Sequence, residues 1–135
     1  MIGGSIALAA KQRWPEVQII GTPSRSTPLP DGMLDRVEPD LAAIARHSDL
    51  VVLCVPVTVM PDMMATIARS GSSALVTDVG STERSVMAAA RDAGLARFVG
   101  GHPMAGAERP GAGEARADLF VGRPWLLVNG TASPE

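Results

Sequence analysis

The stretch DLVVLCVP at residues 49–56 decides the fold class of this chain. Its residues from 50 to 55 are all apolar and do not alternate with polar ones. A strand with one face in water alternates, whereas a strand of a parallel sheet has helices over both faces and is apolar throughout. We therefore predict that residues 49–56 form a strand that is covered on both faces.

Helix and strand patterns alternate on both sides of this stretch. We predict strands at residues 17–21, 49–56, 74–78, 97–101 and 125–128. We predict helices at residues 2–13, 40–47, 61–69, 82–93 and 111–120, and Gly94 as the stop of the one at 82–93. Residues 22–39 are predicted as a loop, with at most one helical turn near Met33 and Leu34. This alternation is typical of an α/β fold with a doubly wound, mostly parallel sheet.

Composition narrows the class of partner. The chain has 135 residues, 46% of them hydrophobic, and a net charge of -2. That size is typical of one domain, and that charge argues against nucleic acid or an anionic membrane as a partner. Aromatic residues make up 3% of the chain and Tyr is absent, so platforms for stacking bases are not expected.

Targeting and redox signals are also weak. No apolar run approaches the roughly 20 residues that span a bilayer, and the start lacks the pattern of a signal peptide. We therefore expect a cytoplasmic protein. Cys54 is the single cysteine and lies within the apolar run, so we predict a buried structural thiol.

The first predicted helix opens with glycines. A dinucleotide-binding unit begins with a strand, continues through a G-x-G-x-x-G turn and enters a helix whose N-terminus faces the pyrophosphate. If Gly3 is the third glycine of this turn, then Gly3, Gly4 and Ser5 border the cofactor, and the first strand precedes Met1. The same residues also suit an ordinary helix start, and both interpretations stay open.

The end of the predicted strand at residues 17–21 bears on cofactor choice. NAD-preferring sites usually carry Asp or Glu there, and this chain has none. Ser24, Arg25 and Ser26 instead offer a guanidinium and hydroxyls, which suit the 2'-phosphate of NADP. The alternative is a solvated loop arginine without a ligand.

Two further strands end in candidate site residues. Ligands of doubly wound sheets bind beyond the carboxyl ends of the strands. Val55, Pro56 and Val57 follow one such end and are expected to border the cofactor. A strand-ending proline is also common without any function.

The sequence TDVGST at residues 77–82 follows the next strand. Asp78 and Gly80 are expected to lie at the cofactor. Ser81 is a candidate site hydroxyl and also a candidate N-cap of the next helix, and the two roles are compatible.

A histidine follows the fourth predicted strand. His102 lies in FVGGHPMAGAE at residues 98–108 and is followed by a proline. Histidine accepts protons near neutral pH, so His102 is the candidate base for a hydroxyl group. The other histidine, His47, falls on a predicted helix surface.

These motifs together resemble the prephenate/arogenate dehydrogenase family of tyrosine biosynthesis. The order GGS with a helix, DLVVLCVPV, TDVGST, FVGGHPMAGAE and LFVGRPWLLV covers nearly the whole chain. The DVGS and GGHPMAG motifs carry most of the specificity. The resemblance implies a Rossmann-like domain at residues 1–129 that lacks its first strand, and residues 130–135 as the start of a linker to a C-terminal helical domain.

The resemblance also implies a chemistry. The family oxidises the ring carbon that bears the 4-hydroxyl of prephenate or arogenate, passes hydride to NAD or NADP, and releases carbon dioxide. His102 would accept the hydroxyl proton and Ser81 would orient His102. Gly106 and Glu108 would lie near the substrate entrance, although a surface carboxylate is an equal interpretation of Glu108. No metal is implied, and complete members are expected to form homodimers through the C-terminal domain.

The chain also departs from the family pattern. Residues 25–40 are too few for the helix that usually follows the second strand, and Glu83 and Arg84 stand where many relatives place a lysine. We expect marginal stability for a sheet without its first strand. A non-catalytic nucleotide-binding remnant and another β-hydroxyacid-type dehydrogenase remain alternatives. A strand that ends in G-x-G, encoded in frame before Met1, would argue against the remnant. Unchanged activity of His102→Ala would favour the β-hydroxyacid-type dehydrogenase.

Overall fold

The computed structural model describes residues 1–22, 29–81, 83–105 and 112–129. The chain divides into two compact units. Unit 1 contains residues 1–39 and 104–124, and unit 2 contains residues 40–103 and the C-terminal strand.

Unit 1 is built around one helix and a short parallel strand pair. Its elements are α1 (Ile2–Arg13), β1 (Ile20–Gly21), β2 (Arg36–Val37) and a 3₁₀ turn at Ala112–Glu114. Ile20 pairs with Arg36 and Gly21 with Val37.

Unit 2 carries the main sheet. Its helices are α2 (Leu41–Arg46), α3 (Met60–Arg69) and α4 (Glu83–Asp92), and its strands are β3 (Leu50–Leu53), β4 (Leu75–Asp78), β5 (Phe98–Pro103) and β6 (Trp125–Asn129). The strand order is β3-β4-β5-β6, with β6 antiparallel to β5 and the other pairs parallel. The α/β class and the mostly parallel sheet predicted from the sequence are therefore confirmed.

Local signals explain where several elements begin and end. The Asp40 side chain accepts a hydrogen bond from the Ala42 N–H at 2.9 Å and caps α2. Pro61 occupies the first turn of α3, where its missing N–H has no cost. Gly94 has a φ of 73° just beyond α4, which confirms it as the predicted helix stop.

The core of unit 2 lies between the sheet and helices α3 and α4. Buried side chains from strands and helices form one cluster, which includes Val51, Leu53, Met60, Met64, Ile67, Val76, Val86, Ala90 and Phe98. Within β3, Val51 and Leu53 are buried, whereas Leu50 is 52% exposed. The prediction of a strand covered on both faces throughout is therefore wrong at Leu50.

The structure corrects the prediction of a loop at residues 22–39. Part of this segment forms β2, and β1 spans two residues rather than the predicted five at 17–21. The cause is tertiary: the Asp35 carboxylate accepts a hydrogen bond from the Ile19 N–H at 2.7 Å and pairs with Lys11 Nζ at 2.7 Å. A two-residue pairing of this kind leaves no periodic pattern in the sequence.

Three further predictions need correction. The helix predicted at 111–120 is reduced to the 3₁₀ turn at Ala112–Glu114, followed by turns. β5 extends to Pro103, so His102 lies within the strand rather than after it, because pairing with β6 continues to Pro103. Cys54 is exposed rather than buried, since it follows the last residue of β3.

Within the described ranges, no helix has the length and apolar character needed to cross a membrane. The same ranges contain no cluster of His, Cys, Asp and Glu that fits a metal ion.

Candidate cofactor-binding and active site

Three strands of unit 2 bring their carboxyl ends to one edge of the sheet. Leu53 at the end of β3 is in register with Asp78 at the end of β4. β5 runs parallel to β4, with Thr77 opposite Val99, so His102 lies beyond the end of β4 at the same edge. This edge of a parallel sheet is where ligands bind in doubly wound folds.

Asp78 links two of these strand ends. Its Oδ2 accepts a hydrogen bond from the Gly80 N–H at 2.8 Å, and its Oδ1 accepts one from the Gly101 N–H at 2.9 Å. The residue is 3% exposed. Backbone N–H groups donate to both carboxyl oxygens of this buried residue, and the contact of Asp78 with the cofactor that the sequence indicated stays a prediction.

Two glycines at this edge have no room for a side chain. A Cβ on Gly80 would lie 2.8 Å from Asp78 Oδ2 and 3.1 Å from Val57 Cγ1. A Cβ on Gly101 would lie 2.6 Å from the Asp78 carbonyl oxygen and 2.9 Å from Thr77 Oγ1. At each glycine the nearest of these distances is shorter than a side chain tolerates, so the chain approaches itself closely here.

His102 is half-buried in β5, between the buried Gly101 and Pro103. Its Nδ1 is fully shielded from water, and no group in the described part of the chain hydrogen-bonds to it. A buried polar atom without a partner is costly in a folded protein, and such atoms often mark functional sites. The histidine thus offers an uncommitted ring nitrogen at the edge where a ligand is expected.

The remaining predicted residues of this edge surround the strand ends. Val55 and Val57 are half-buried and pack against the core, which gives the edge an apolar lining. Pro56 is exposed, and its carbonyl oxygen accepts a hydrogen bond from the Val59 N–H at 3.1 Å in the turn into α3. Ser81 is exposed and precedes α4 by two positions.

The predicted cofactor residues near the N-terminus lie in the first turn of α1. Gly3 is half-buried. A Cβ on Gly4 would lie 2.8 Å from Met33 Cε and 2.9 Å from Ala115 Cβ, so Gly4 permits close packing within unit 1.

Ser5 also has a structural contact. It is 0% exposed, and its Oγ accepts a hydrogen bond from the Arg116 N–H at 3.0 Å. The Ser5 hydroxyl therefore anchors the backbone of residue 116, and its assignment to the cofactor stays a prediction.

Several predicted site residues fall outside the described residues. These are Ser24, Arg25 and Ser26 of the expected phosphate contact, and Gly106 and Glu108 of the expected substrate entrance. The predicted linker at residues 130–135 also lies outside them.

The exposed thiol of Cys54 near the edge has a raised pKa. Desolvation by the surrounding protein atoms raises the pKa of Cys54 to about 11, even though the side chain reaches solvent. The nearby charge of Asp78 raises that pKa further. The thiolate is the nucleophilic form, so Cys54 is a poor nucleophile at neutral pH.

Sequence reasoning missed Trp125 as a neighbour of the site. Trp125 pairs with Pro103 across β5 and β6, and its indole Nε1 would lie 3.1 Å from a Cβ on Gly101. Only the antiparallel register of β6 brings the indole beside the strand that carries His102, and no motif in the sequence encodes that register.

Comparison with known proteins agrees with the family that the sequence motifs indicated. The family model described as prephenate dehydrogenase, nucleotide-binding domain, matches residues 6–135. The prephenate dehydrogenase of Bacillus subtilis is 35% identical over 138 residues, which cover 96% of this chain and 37% of the relative. That of Lactococcus lactis is 31% identical over 136 residues, which cover 95% of this chain and 38% of the relative.

Solved structures agree. The prephenate dehydrogenase of A. aeolicus in complex with hydroxyphenyl propionate and NAD+ has a TM-score of 0.82 and 26% identity, over 97% of this chain and 49% of the other. Synechocystis arogenate dehydrogenase has a TM-score of 0.82 and 28% identity, over 95% of this chain and 46% of the other. The chain thus spans less than half the length of each of these relatives. With a Rossmann-like fold and a family match over nearly its whole length, this chain belongs to the prephenate dehydrogenase nucleotide-binding domain family.

Proposed function

We propose that this chain is the nicotinamide-dinucleotide-binding part of a dehydrogenase that oxidises and decarboxylates prephenate or arogenate. The observation that carries the proposal is His102, whose buried Nδ1 lacks a partner among the described residues at the carboxyl edge of the sheet. The similarity to solved prephenate and arogenate dehydrogenases supports it. As a biosynthetic dehydrogenase, the protein is expected in the cytoplasm and as a homodimer.

The residues at the edge fit a dinucleotide. Gly80 and Gly101 let the chain pack closely on itself around Asp78, which fixes the backbone that borders the edge. Val55 and Val57 supply an apolar wall. The assignment of Gly3 to the cofactor is a separate proposal, which is based on the N–H groups in the first turn of α1 within unit 1. When bound, the cofactor supplies the hydride acceptor.

The protein side of the reaction is proton transfer and orientation. His102 accepts the proton of the substrate hydroxyl at a ring nitrogen as the carbon–oxygen double bond forms. Ser81 orients the imidazole through its hydroxyl. Once the ring carbonyl exists, the bond to the carboxylate breaks and carbon dioxide leaves. The electron pair of that bond enters the ring, which becomes aromatic, and the former carbonyl oxygen becomes a phenol oxygen that takes back the proton held by His102. Glu108 and Gly106 are proposed to line the substrate entrance.

The preferred cofactor is proposed to be NADP. Residues 22–26 contain no carboxylate to bond the ribose hydroxyls, and Arg25 offers a guanidinium for a 2'-phosphate. The A. aeolicus enzyme was solved in complex with NAD+, so NAD is the second candidate here.

The test is a titration with NADPH and NADH, followed by energy transfer from tryptophan to the reduced nicotinamide. Trp14→Phe removes the exposed tryptophan and leaves Trp125, beside Gly101, as the single donor. Two results together support the proposal. The chain that keeps Arg25 binds NADPH with micromolar affinity and more tightly than NADH, and the Arg25→Ala variant binds the two cofactors with equal affinity. Absence of binding for both cofactors in the full-length gene product contradicts it.

His102 is tested separately in the full-length gene product. His102→Asn is expected to lower kcat for prephenate or arogenate by roughly 10²- to 10⁴-fold, the usual contribution of a general base. His47→Asn, in the C-cap position of α2, is the matched control and is expected to keep its turnover. If the protein binds cofactor and His102→Asn leaves turnover unchanged, another dehydrogenase chemistry is favoured. If the wild type binds cofactor and has no turnover, a nucleotide-binding remnant is favoured.

A further inference from the structure

Asp78 contacts the backbone of both segments that carry the proposed site residues. Gly80, whose N–H donates to Asp78 Oδ2, immediately precedes Ser81. Gly101, whose N–H donates to Asp78 Oδ1, immediately precedes His102. The Asp78 carboxyl group therefore links the segment that follows β4 to β5, and Gly101 lies 23 residues after Asp78 in the chain.

The surroundings hold this arrangement in a single geometry. Asp78 is 3% exposed, so water does not compete for its oxygens. A Cβ on Gly80 would lie 2.8 Å from Asp78 Oδ2, and a Cβ on Gly101 would lie 2.6 Å from the Asp78 carbonyl oxygen. Both segments therefore pass close to Asp78, and its carboxyl group has little room to move on the Gly80 side.

The chemistry of the contact requires two acceptors. A carboxylate accepts at both oxygens, whereas an Asn side chain has one acceptor and an NH₂ group that would face a backbone N–H. Serine and threonine are too short and offer a single oxygen. Asp is the residue type whose length and acceptor pair match two converging N–H groups.

We propose that Asp78 is a positioning residue, whose carboxyl group fixes the backbone before Ser81 relative to the backbone before His102. The hydroxyl and the imidazole then present a preorganised pair to the substrate. The roles of Ser81 and His102 rest on the proposed function, whereas the double contact of Asp78 does not. The two parts are therefore tested by different measurements.

The contact is tested first by NMR on the 14.0 kDa chain. In the wild type, the amide protons of Gly80 and Gly101 are expected to exchange slowly with solvent, as hydrogen-bonded amides do. This measurement needs no variant. Exchange of both amides at the rate of exposed loop amides would overturn the proposal.

Variants then test the link to His102. Asp78→Asn is expected to shift the ring resonances of His102 and to leave those of His47 in place. Asp62→Asn, in the exposed first turn of α3, is the matched control and should shift neither. If Asp78→Asn does not fold, Gly80→Ala pushes on Oδ2 without changing the carboxyl group and should shift the same resonances. Unshifted His102 resonances in the folded variant would overturn the proposal.

Turnover in the full-length gene product separates positioning from general stability. Asp78→Asn is expected to lower kcat about 10- to 100-fold while the KM for cofactor stays within about twofold, because misplacement of a reacting group costs this much. Combined with His102→Asn, it should add no further loss, since it acts through His102. The proposal would be overturned if the losses of kcat in Asp78→Asn and His102→Asn were additive in the double variant. It would also be overturned if Asp78→Asn lowered kcat and cofactor affinity in parallel. Full turnover of His102→Asn would instead refute the proposed function and leave the NMR result intact.

Discussion

At the scale of single residues, neighbouring glycines in β5 differ in their tolerance for a side chain. A Cβ on Gly101 meets backbone and a hydroxyl at 2.6 and 2.9 Å, whereas a Cβ on Gly100 first meets the flexible Met87 Sδ at 3.1 Å. We expect Gly101→Ala to lower the free energy of unfolding by about 1–3 kcal/mol, the usual cost of overpacking. Urea denaturation measures this, and Gly100→Ala is the control.

Gly100→Ala should cost less than about 1 kcal/mol, because Met87 has other rotamers available. Equal losses in the two variants would contradict the geometry at Gly101. The sequence motif FVGGHP contains both glycines and does not distinguish them. The difference arises because only the second glycine faces the end of β4.

The pKa of Cys54 is likewise set by its surroundings in the fold and not by its residue type alone. Desolvation raises its pKa to about 11, so at pH 8 only a small fraction of the exposed thiol is thiolate. Reaction with a disulfide reagent at pH 8 should be at least roughly tenfold slower in the folded chain than in urea, after allowing for the greater nucleophilicity of a high-pKa thiolate. The folded rate should keep rising above about pH 9. Equal rates would show that the thiol is not desolvated.

At the scale of elements, Asp35 connects β2 to its neighbours in unit 1. Its pKa lies below the usual range, first because the Ile19 N–H donates to it and then because Lys11 pairs with it. A lowered pKa means that the stabilisation is complete above the unfolded pKa, about 3.9, and is lost as pH falls through the folded value.

Asp35→Asn should therefore flatten the decline of unfolding free energy as the pH is lowered from about 5 to 3. The effect should be small, because exposed ion pairs contribute little. Asp31→Asn, in an exposed turn before Met33, is the matched control and should retain the wild-type profile. A wild-type profile in Asp35→Asn would refute this role for Asp35. Chemical denaturation at several pH values measures both.

The bounds of α2, α3 and α4 were easier to predict than those of the short strands β1 and β2, for a physical reason. α2, α3 and α4 carry caps, an N-terminal proline or a glycine stop, so their bounds lie within one or two residues of the prediction. β2 depends on two paired residues and on a carboxylate from the preceding position. Contacts between distant segments decide such a strand, and local pattern does not register them.

At the scale of the whole molecule, the proposed cofactor should stabilise the chain. A ligand that binds only the folded state at about 100 times its Kd adds about 2.7 kcal/mol, which raises Tm by several degrees. We expect NADPH to raise Tm more than NADH at equal concentration. His102→Asn should retain the shift, since the histidine is proposed to act on the substrate. Calorimetry that finds no shift with either cofactor would count against the nucleotide site.

The sequence by itself determined the fold class and the neighbourhood of the site. An apolar run, helix stops and strand-ending motifs are local signals, and parallel strands bring their carboxyl ends to one edge by geometry alone. Ser81 and His102 were therefore found as candidates without a structure. Only the tertiary structure decided how that edge is held. Asp78 is buried with two backbone contacts, and Trp125 is in register with Pro103, because distant segments of unit 2 meet there. The free energy of those contacts is absent from any local stretch of the chain.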